Sequence, residues 1–242
     1  MSSQDERRTA TVTEIAAPTT DVRVVRMRPK EPLRFQAGQY VRLWFDGLPA
    51  RDYSLGNRPG EAALEFHIRI TAESAVGCYV AEGLRVGEAV GVDGPYGDAF
   101  LRREHRGPLL AVAGGTGVVP IQSIVTTALE SGMQQQIHLY WGAYSAADLY
   151  AESRFRDLAA RHRNLHVECS VAVPDSEHRK GYVSEVVAAD FSSVTGFKAY
   201  VAGPPAMVSA TQDVLLARGL KAGDLHADPF VPGDHHSRTV SP

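Results

Sequence analysis

The sequence predicts two domains: an N-terminal antiparallel six-stranded β-barrel over residues 1–105, and an α/β domain over 106–233 built on a doubly wound, five-stranded parallel sheet. Residues 234–242 read as a loose tail. Three observations carry this reading. Short apolar stretches separated by Gly, Pro and Asp fill the first part, the pattern of an antiparallel barrel or sandwich. From Leu109 the rhythm changes to apolar runs alternating with amphipathic segments, as repeated βαβ units require. Between the two lies "LRREHRGP", a charged stretch ending in Gly107 and Pro108.

The six barrel strands are "TATVTEIAAP", "DVRVVRMR", "QYVRLWF", "RDYSLG", "ALEFHIRI" and "EAVGVDGP". In "QYVRLWF", Tyr40, Arg42 and Trp44 share one face, and Val41, Leu43 and Phe45 share the other. One short helix is expected, from about Gly77 to Gly83. In the second half the strands are "PLLAVAG", "QIHLYWGA", "LHVECSVAV", "KAYVAG" and a last one, "DLHADPFV". The helical segments are "PIQSIVTTALESG", "AADLYAESRFRDLAARH", "YVSEVVAADF" and "PAMVSATQDVLLARG". No internal repeat is visible.

Composition excludes several classes. The chain has 242 residues, 44% of them hydrophobic and 22% charged, which suits a folded protein with one large core or two compact ones. A formal net charge of -3 gives no basic field to recruit nucleic acid or an anionic membrane surface. No apolar run reaches the ~18 residues of a membrane helix. The start, "MSSQDERRTATVTE", lacks the apolar core of a signal peptide, so a cytoplasmic protein is expected. Cys78 and Cys169 are too few to supply the four thiolates of an iron–sulfur cluster and read as reduced thiols. His235 and His236 are adjacent in the tail without partners at useful spacing, so no metal site is expected.

The stretch "LLAVAGGTGVVPIQSIV" holds Gly114, Gly115 and Gly117 between a strand and a helix. Glycines there allow positive φ and close approach of a ligand, while the N–H groups and dipole of the following helix favour an anion. Pro120 suits a first-turn helical position. The dinucleotide fingerprint fails twice, however: Pro120 stands in place of the third glycine, and the next strand closes on Gly142, Ala143 and Tyr144 with no acid. The turn alone leaves a plain strand-to-helix connection and a phosphate cradle equally open.

Four segments in order, "RDYS" (51–54), "GPYG" (94–97), "GGTGVVP" (114–120) and "GPPAM" (203–207), resemble the ferredoxin–NADP reductase superfamily from about Thr9 to Gly233. The segments "EFHIR", "LYWGAYSAADLY" and "HADPFVPG" resemble more specifically the reductase components of ring-hydroxylating oxygenases, such as those of naphthalene dioxygenases. The resemblance implies FAD on the barrel and NADH on the α/β domain, with NADPH as the alternative. It implies that Tyr53 stacks on the flavin ring, that Ser54 offers its hydroxyl near the hydride-accepting nitrogen, and that Arg51 neutralises the diphosphate. Taken singly, Tyr53 could be core, Ser54 a turn residue and Arg51 a surface charge. His67, Ile68 and Arg69 would line the adenylate side. Ser74, Val76 and Gly77 would lead into the short helix facing the pyrophosphate. Gly114, Gly115, Thr116, Gly117 and Pro120 would take the nicotinamide dinucleotide's pyrophosphate, with Gly203, Pro204 and Met207 beside its ring. Phe230 would pack near the flavin or nicotinamide, with Asp228 as a neighbouring polar group. Tyr53, Ser54 and Phe230 are thus the candidates at the reacting atoms.

Three positions depart from the family pattern: Gly77 where relatives carry Ser or Thr, Ala202 where many carry Cys, and Tyr144 where close relatives carry Arg. The lost cation tilts the expectation towards NADH, although Tyr144 could stack on adenine, and Arg154 or the "HRK" of 178–180 could supply charge instead. The expected role is to pass electrons to a separate iron–sulfur ferredoxin or oxygenase component, since no remnant of a ferredoxin domain is visible in the sequence. A flavin reductase releasing free reduced flavin, and a non-catalytic electron-transfer subunit, are the alternatives.

Overall fold

The computed structural model describes residues 8–175 and 177–231. The expected tail, with His235 and His236, and the last two residues of the expected second domain lie outside the described residues. The first half forms six strands: β1 (Arg8–Ala16), β2 (Val22–Pro29), β3 (Tyr40–Trp44), β4 (Arg51–Ser54), β5 (Leu64–Arg69) and β6 (Ala89–Tyr96). They pair antiparallel in the order β4-β3-β6-β1-β2-β5. The Gly56 N–H, just past β4, donates to the Glu65 carbonyl at 2.8 Å and draws the two edge strands together. The alternation read in β3 holds, with Val41 and Leu43 fully buried beside Val25, Met27, Phe66 and Ile68. Each such side chain contributes roughly 1.5–3 kcal/mol of burial.

The short helix, α1 (Ala75–Cys78), runs on into a wider turn over Tyr79–Gly83. It starts two residues before the expected Gly77 because Ser74 caps it: the Ser74 hydroxyl accepts the Gly77 N–H at 3.0 Å.

The second half carries β7 (Leu109–Gly114), β8 (Ile137–Ala143), β9 (Leu165–Val171), β10 (Arg179–Lys180), β11 (Lys198–Gly203) and β12 (Leu225–Pro229). All pair parallel, in the order β10-β9-β8-β7-β11-β12. The sheet therefore has six strands where five are expected from the sequence. The extra one is β10, two charged residues with no apolar pattern, held on the edge by pairing of Arg179 with Ser170 and by the ion pair from Arg179 to Asp190 at 2.6 Å. Helices α2 (Val118–Glu130) and α3 (Glu152–Arg161) cover one face; α4 (Val183–Asp190) and α5 (Pro205–Ala217) cover the other. In β7, Leu109, Ala111 and Ala113 face the first layer, and Leu110 and Val112 the second, as a doubly wound sheet demands.

The segment expected as one long helix before β9 is split. A tight 3₁₀ turn over Ala146–Asp148 precedes α3. Its closure is a capping box: the Ser145 N–H and hydroxyl both donate to the Asp148 carboxylate at 2.9 Å.

Residues 97–108 join the halves, which share a core. Ala37 and Leu101 pack with Ile121, Ile124 and Val125 of α2, whose residues Val118–Leu129 are all buried. The Arg102 N–H also donates to the Tyr200 hydroxyl at 2.8 Å. Among the described residues, no helix is long and apolar enough to cross a membrane, and no group of three or more His, Cys, Asp or Glu side chains could hold a metal ion.

Candidate functional site

Strand order reverses at β7: β8, β9 and β10 lie to one side, β11 and β12 to the other. In open α/β sheets such a switch point, beyond the carboxyl ends of the strands, is where a crevice forms. Two turns meet there. Gly117 packs so tightly on the β11 turn that a Cβ would stand 2.0 Å from the Ala202 carbonyl oxygen. Gly203, at φ +140°, lies close against Gly114, its added Cβ falling 2.6 Å from the Gly114 carbonyl oxygen. Met207 caps the pair, its methyl 2.8 Å from where a Cβ on Gly114 would be.

Gly115 is the opposite case. It sits at φ +52° with nothing within 4 Å of an added Cβ, so its backbone faces open space. Its carbonyl is turned away to accept the Trp141 indole N–H at 3.0 Å. Thr116 is half-buried beside it, and α2 starts at Val118, with Pro120 buried in its first turn. The positive end of a 13-residue helix thus opens on that space. A side chain at Gly115 would project into that open space.

Beside the β11 turn, the Phe230 N–H donates to the Gly203 carbonyl at 2.8 Å, and β12 pairs Asp228 with Ala202. Asp228 and Phe230 are half-buried, Met207 likewise, and Pro204 is exposed.

From the barrel side, edge strand β4 places Arg51, Tyr53 and Ser54 half-exposed, opposite Leu43, Val41 and Tyr40 of β3. Tyr53 leans on the barrel core; burial pushes its phenol up to about 12, against the pull of Arg51, so it stays neutral. Past Ser54 the chain dives under α2: a Cβ on Gly56 would lie 3.1 Å from a Val119 methyl, and the Ser123 hydroxyl donates to the Asn57 carbonyl at 2.7 Å. The exit of "RDYS" and the start of the helix that follows the glycine turn are therefore packed together.

The other expected barrel residues divide by exposure. Arg69 is exposed and pairs with Asp21 at 3.2 Å, and Ser74 is half-buried as the helix cap. Ile68 and Val76 are core side chains, and Gly77 is buried, so these three offer only backbone to a ligand. His67 is buried with both ring nitrogens engaged, Nδ1 with the Tyr150 hydroxyl at 2.9 Å and Nε2 with Glu65 at 3.1 Å.

Sequence reasoning passed over two acidic groups. Burial pushes the Glu65 carboxyl up, but hydrogen bonds from His67 and Gln122 and the charge of Arg154 outweigh it and hold it well below the usual carboxylate range. Nothing in a strand pattern marks such a residue. Asp148 was legible: "SAAD" has capping-box spacing, and its carboxylate is held half-buried beyond the end of β8. Tyr144 stands there too, 73% exposed, with Tyr182 at 69%. Of the cations that could stand in for a missing Arg at 144, three are engaged. Arg154 pairs with Glu65 at 3.4 Å and Arg179 with Asp190 at 2.6 Å, while His178 is hydrogen-bonded to Glu152 at 2.9 Å and Asp175 at 2.7 Å. Glu152 and Asp175 hold the His178 imidazole above its ordinary pKa. Lys180 is exposed.

Comparison with known proteins matches residues 9–100 to the oxidoreductase FAD-binding domain and 111–213 to the oxidoreductase NAD-binding domain. The reductase component of the naphthalene 1,2-dioxygenase/salicylate 5-hydroxylase systems of a Ralstonia species is 43% identical over 224 residues, 92% of this chain and 68% of that one. A probable flavin reductase of Photobacterium leiognathi is 32% identical over 90% of this chain and 96% of its own. The crystal structure of the Amycolatopsis cytochrome P450 reductase GcoB superposes with a TM-score of 0.89 at 34% identity, covering 94% of this chain and 70% of that one.

Proposed function

This chain belongs to the FAD- and NAD-binding oxidoreductases of the ferredoxin–NADP reductase superfamily, alongside the reductase components of naphthalene dioxygenase systems, and from that membership we propose that it takes electrons from NADH and delivers them, through FAD, to a separate ferredoxin or oxygenase component. The observation that carries this reading is the junction at the switch point. The open face of Gly115, the docked β7 and β11 turns and the exit of "RDYS" all converge on the first turns of α2.

When bound, FAD accepts a hydride and passes electrons on singly or in pairs, which is cofactor chemistry. The protein's part is binding and orientation. Gly115, Thr116 and the α2 N-terminus hold the pyrophosphate of the dinucleotide. Tyr53 supplies a flat, neutral surface for the flavin ring, Ser54 a hydroxyl at its edge, and Arg51 a cation for its diphosphate. Gly203, Pro204 and Met207 support the nicotinamide, and Phe230 closes that side with Asp228 next to it. Arg69, Ser74 and the backbone of His67, Ile68, Val76 and Gly77 line the adenylate end. Hydride transfer requires the two rings in contact rather than a proton donor, so Ala202 in place of Cys preserves the geometry.

NADH rather than NADPH is the donor in this reading. An acid beyond the second parallel strand receives the ribose 2′-hydroxyl in dinucleotide folds, and Asp148 lies beyond β8, the second strand. A 2′-phosphate there would meet a carboxylate, with the nearby Arg and His side chains already engaged. Combining Asp148→Ser with Tyr144→Arg is expected to raise kcat/KM for NADPH relative to NADH at least about tenfold, the size of one charge-assisted contact. An unchanged ratio in steady-state assays would place cofactor choice elsewhere.

The Photobacterium relative, matched over nearly its whole length, favours a second reading in which reduced flavin itself is the product. The visible spectrum of the purified protein, followed by anaerobic NADH, tests both. The first reading expects retained FAD that bleaches on NADH addition and rapid reduction of an added [2Fe–2S] ferredoxin. Absence of retained flavin, with fast turnover of free flavin only, would replace it by the second. Bound flavin that NADH and NADPH reduce only very slowly would instead mark a non-catalytic electron-transfer subunit. With both cysteines unpaired, the cytoplasm is the compartment this chemistry fits.

A further inference from the structure

We propose that the buried Glu65 carboxylate is a positioning residue for hydride transfer, a bracket that fixes the flavin-bearing strands against the helix carrying the glycine turn; this rests on the functional reading above. The Glu65 side chain, 7% exposed, projects from β5 and gathers partners from both halves of the molecule. Arg26, on the neighbouring strand of the same sheet, binds it at 2.9 Å. From the other half, the Gln122 amide of α2 donates to it at 2.8 Å and Arg154 of α3 reaches it at 3.4 Å. His67 Nε2 lies 3.1 Å away, while its Nδ1 meets the Tyr150 hydroxyl at 2.9 Å, so the imidazole is a second strut across the boundary.

Gln122 is the central link. It is fully buried, and the same amide nitrogen also donates to the Gly56 carbonyl at 2.9 Å. Gly56 lies two residues after Ser54, and Gln122 five residues after Gly117, about 7 Å along a rigid helix. The route from the flavin strand to the dinucleotide turn is therefore short and made of directional contacts. The Ser123 hydroxyl adds a bond to the Asn57 carbonyl at 2.7 Å, and the packing around them, Ala37 and Leu101 against Ile121 and Ile124, is apolar. Apolar packing favours contact without fixing register, whereas hydrogen bonds to a fixed carboxylate do. Reacting atoms must sit about 3–3.5 Å apart, and a misplacement of about 1 Å costs on the order of a hundredfold in rate. A buried anion that no catalytic step uses is explained by that demand.

Glu65→Gln in the full chain removes the charge and keeps the shape. The expected result is a fall of about tenfold or more in the limiting rate of anaerobic flavin reduction at saturating NADH. FAD retention and the NADH concentration for half-saturation should stay within about twofold. Independently of turnover, backbone amides of residues 118–126 should exchange hydrogen faster than in the parent. A limiting rate within twofold of the parent, a rate loss matched by loss of FAD, or unchanged exchange over 118–126 would each overturn the proposal. Should Glu65→Gln not fold, Arg154→Gln removes one arm from the exposed side; a limiting rate and exchange equal to the parent's would then overturn it. If the parent itself does not reduce its flavin with NADH, the functional reading fails, while the exchange comparison still judges the bracket.

Discussion

Replacing Gly117 by alanine is expected to disrupt the junction of the two turns, with a stability loss of about 3 kcal/mol or more on urea unfolding and no measurable nicotinamide binding. The backbone is not the obstacle, since Gly117 has φ -58°, open to any residue. The obstacle is space: the new Cβ would lie 2.0 Å from the Ala202 carbonyl oxygen and 2.7 Å from the Gly203 Cα, both main-chain atoms at the end of a buried strand. Neither can move by rotating a side chain, so β7 and β11 must separate. Gly115→Ala supplies the contrast. There an added Cβ meets nothing within 4 Å, and the cost is the positive φ of +52°, about 1 kcal/mol. That variant should fold and retain flavin yet bind NADH at least tenfold more weakly, because the methyl group occupies the cradle. Equal NADH affinity in Gly115→Ala and the parent, by titration of flavin-free protein, would remove the phosphate from this turn.

Tyr53→Ala and Ser54→Ala should separate flavin binding from flavin reduction. In the proposed role Tyr53 gives the ring a stacking surface, and its loss is then expected to weaken FAD about 10- to 100-fold, the range for one aromatic stacking contact. Ser54 is half-buried at the end of β4, so its truncation leaves the strand pairing intact. The proposed hydrogen bond from Ser54 to the flavin edge would be lost, which predicts about a tenfold slower reduction with little change in FAD affinity. Rapid-mixing absorbance measures the rate and equilibrium dialysis the affinity. If both variants keep parental spectra and rates, the flavin does not lie on β4.

What was legible in the sequence follows from periodicity. Strands with alternating burial, such as Tyr40–Trp44, and runs buried on both faces, such as Leu109–Gly114, declare themselves because each burial pattern has a distinct period. β10 does not, because Arg179 and Lys180 join the sheet through main-chain bonds and an ion pair rather than through apolar side chains. The break before α3 was hidden for a related reason: apolar spacing continues through Leu149 and Tyr150, while the Ser145–Asp148 box closes the chain into a separate turn. Within the site, the glycines were visible as a cluster, but only the fold distinguishes Gly117, which makes room for protein, from Gly115, which leaves room for a ligand. Glu65 could not be found at all, since its partners Gln122 and Arg154 are 57 and 89 positions away along the chain.

The burial of α2 bears on how such a protein can change over generations. Gly38 and Gly56 of the barrel are sockets for this helix: side chains there would crowd Ile124 and Val119. At Gly56 the nearest atom is a Val119 methyl, so a larger residue there calls for a smaller one on α2, while Gly38, at φ +105° and with the Ala99 carbonyl oxygen 2.5 Å from an added Cβ, must stay glycine; the two halves therefore drift under a shared constraint. Recombination that joins this barrel to a foreign nicotinamide domain would inherit mismatched knobs at the junction, and the helix rather than the linker marks where a viable chimera has to be cut.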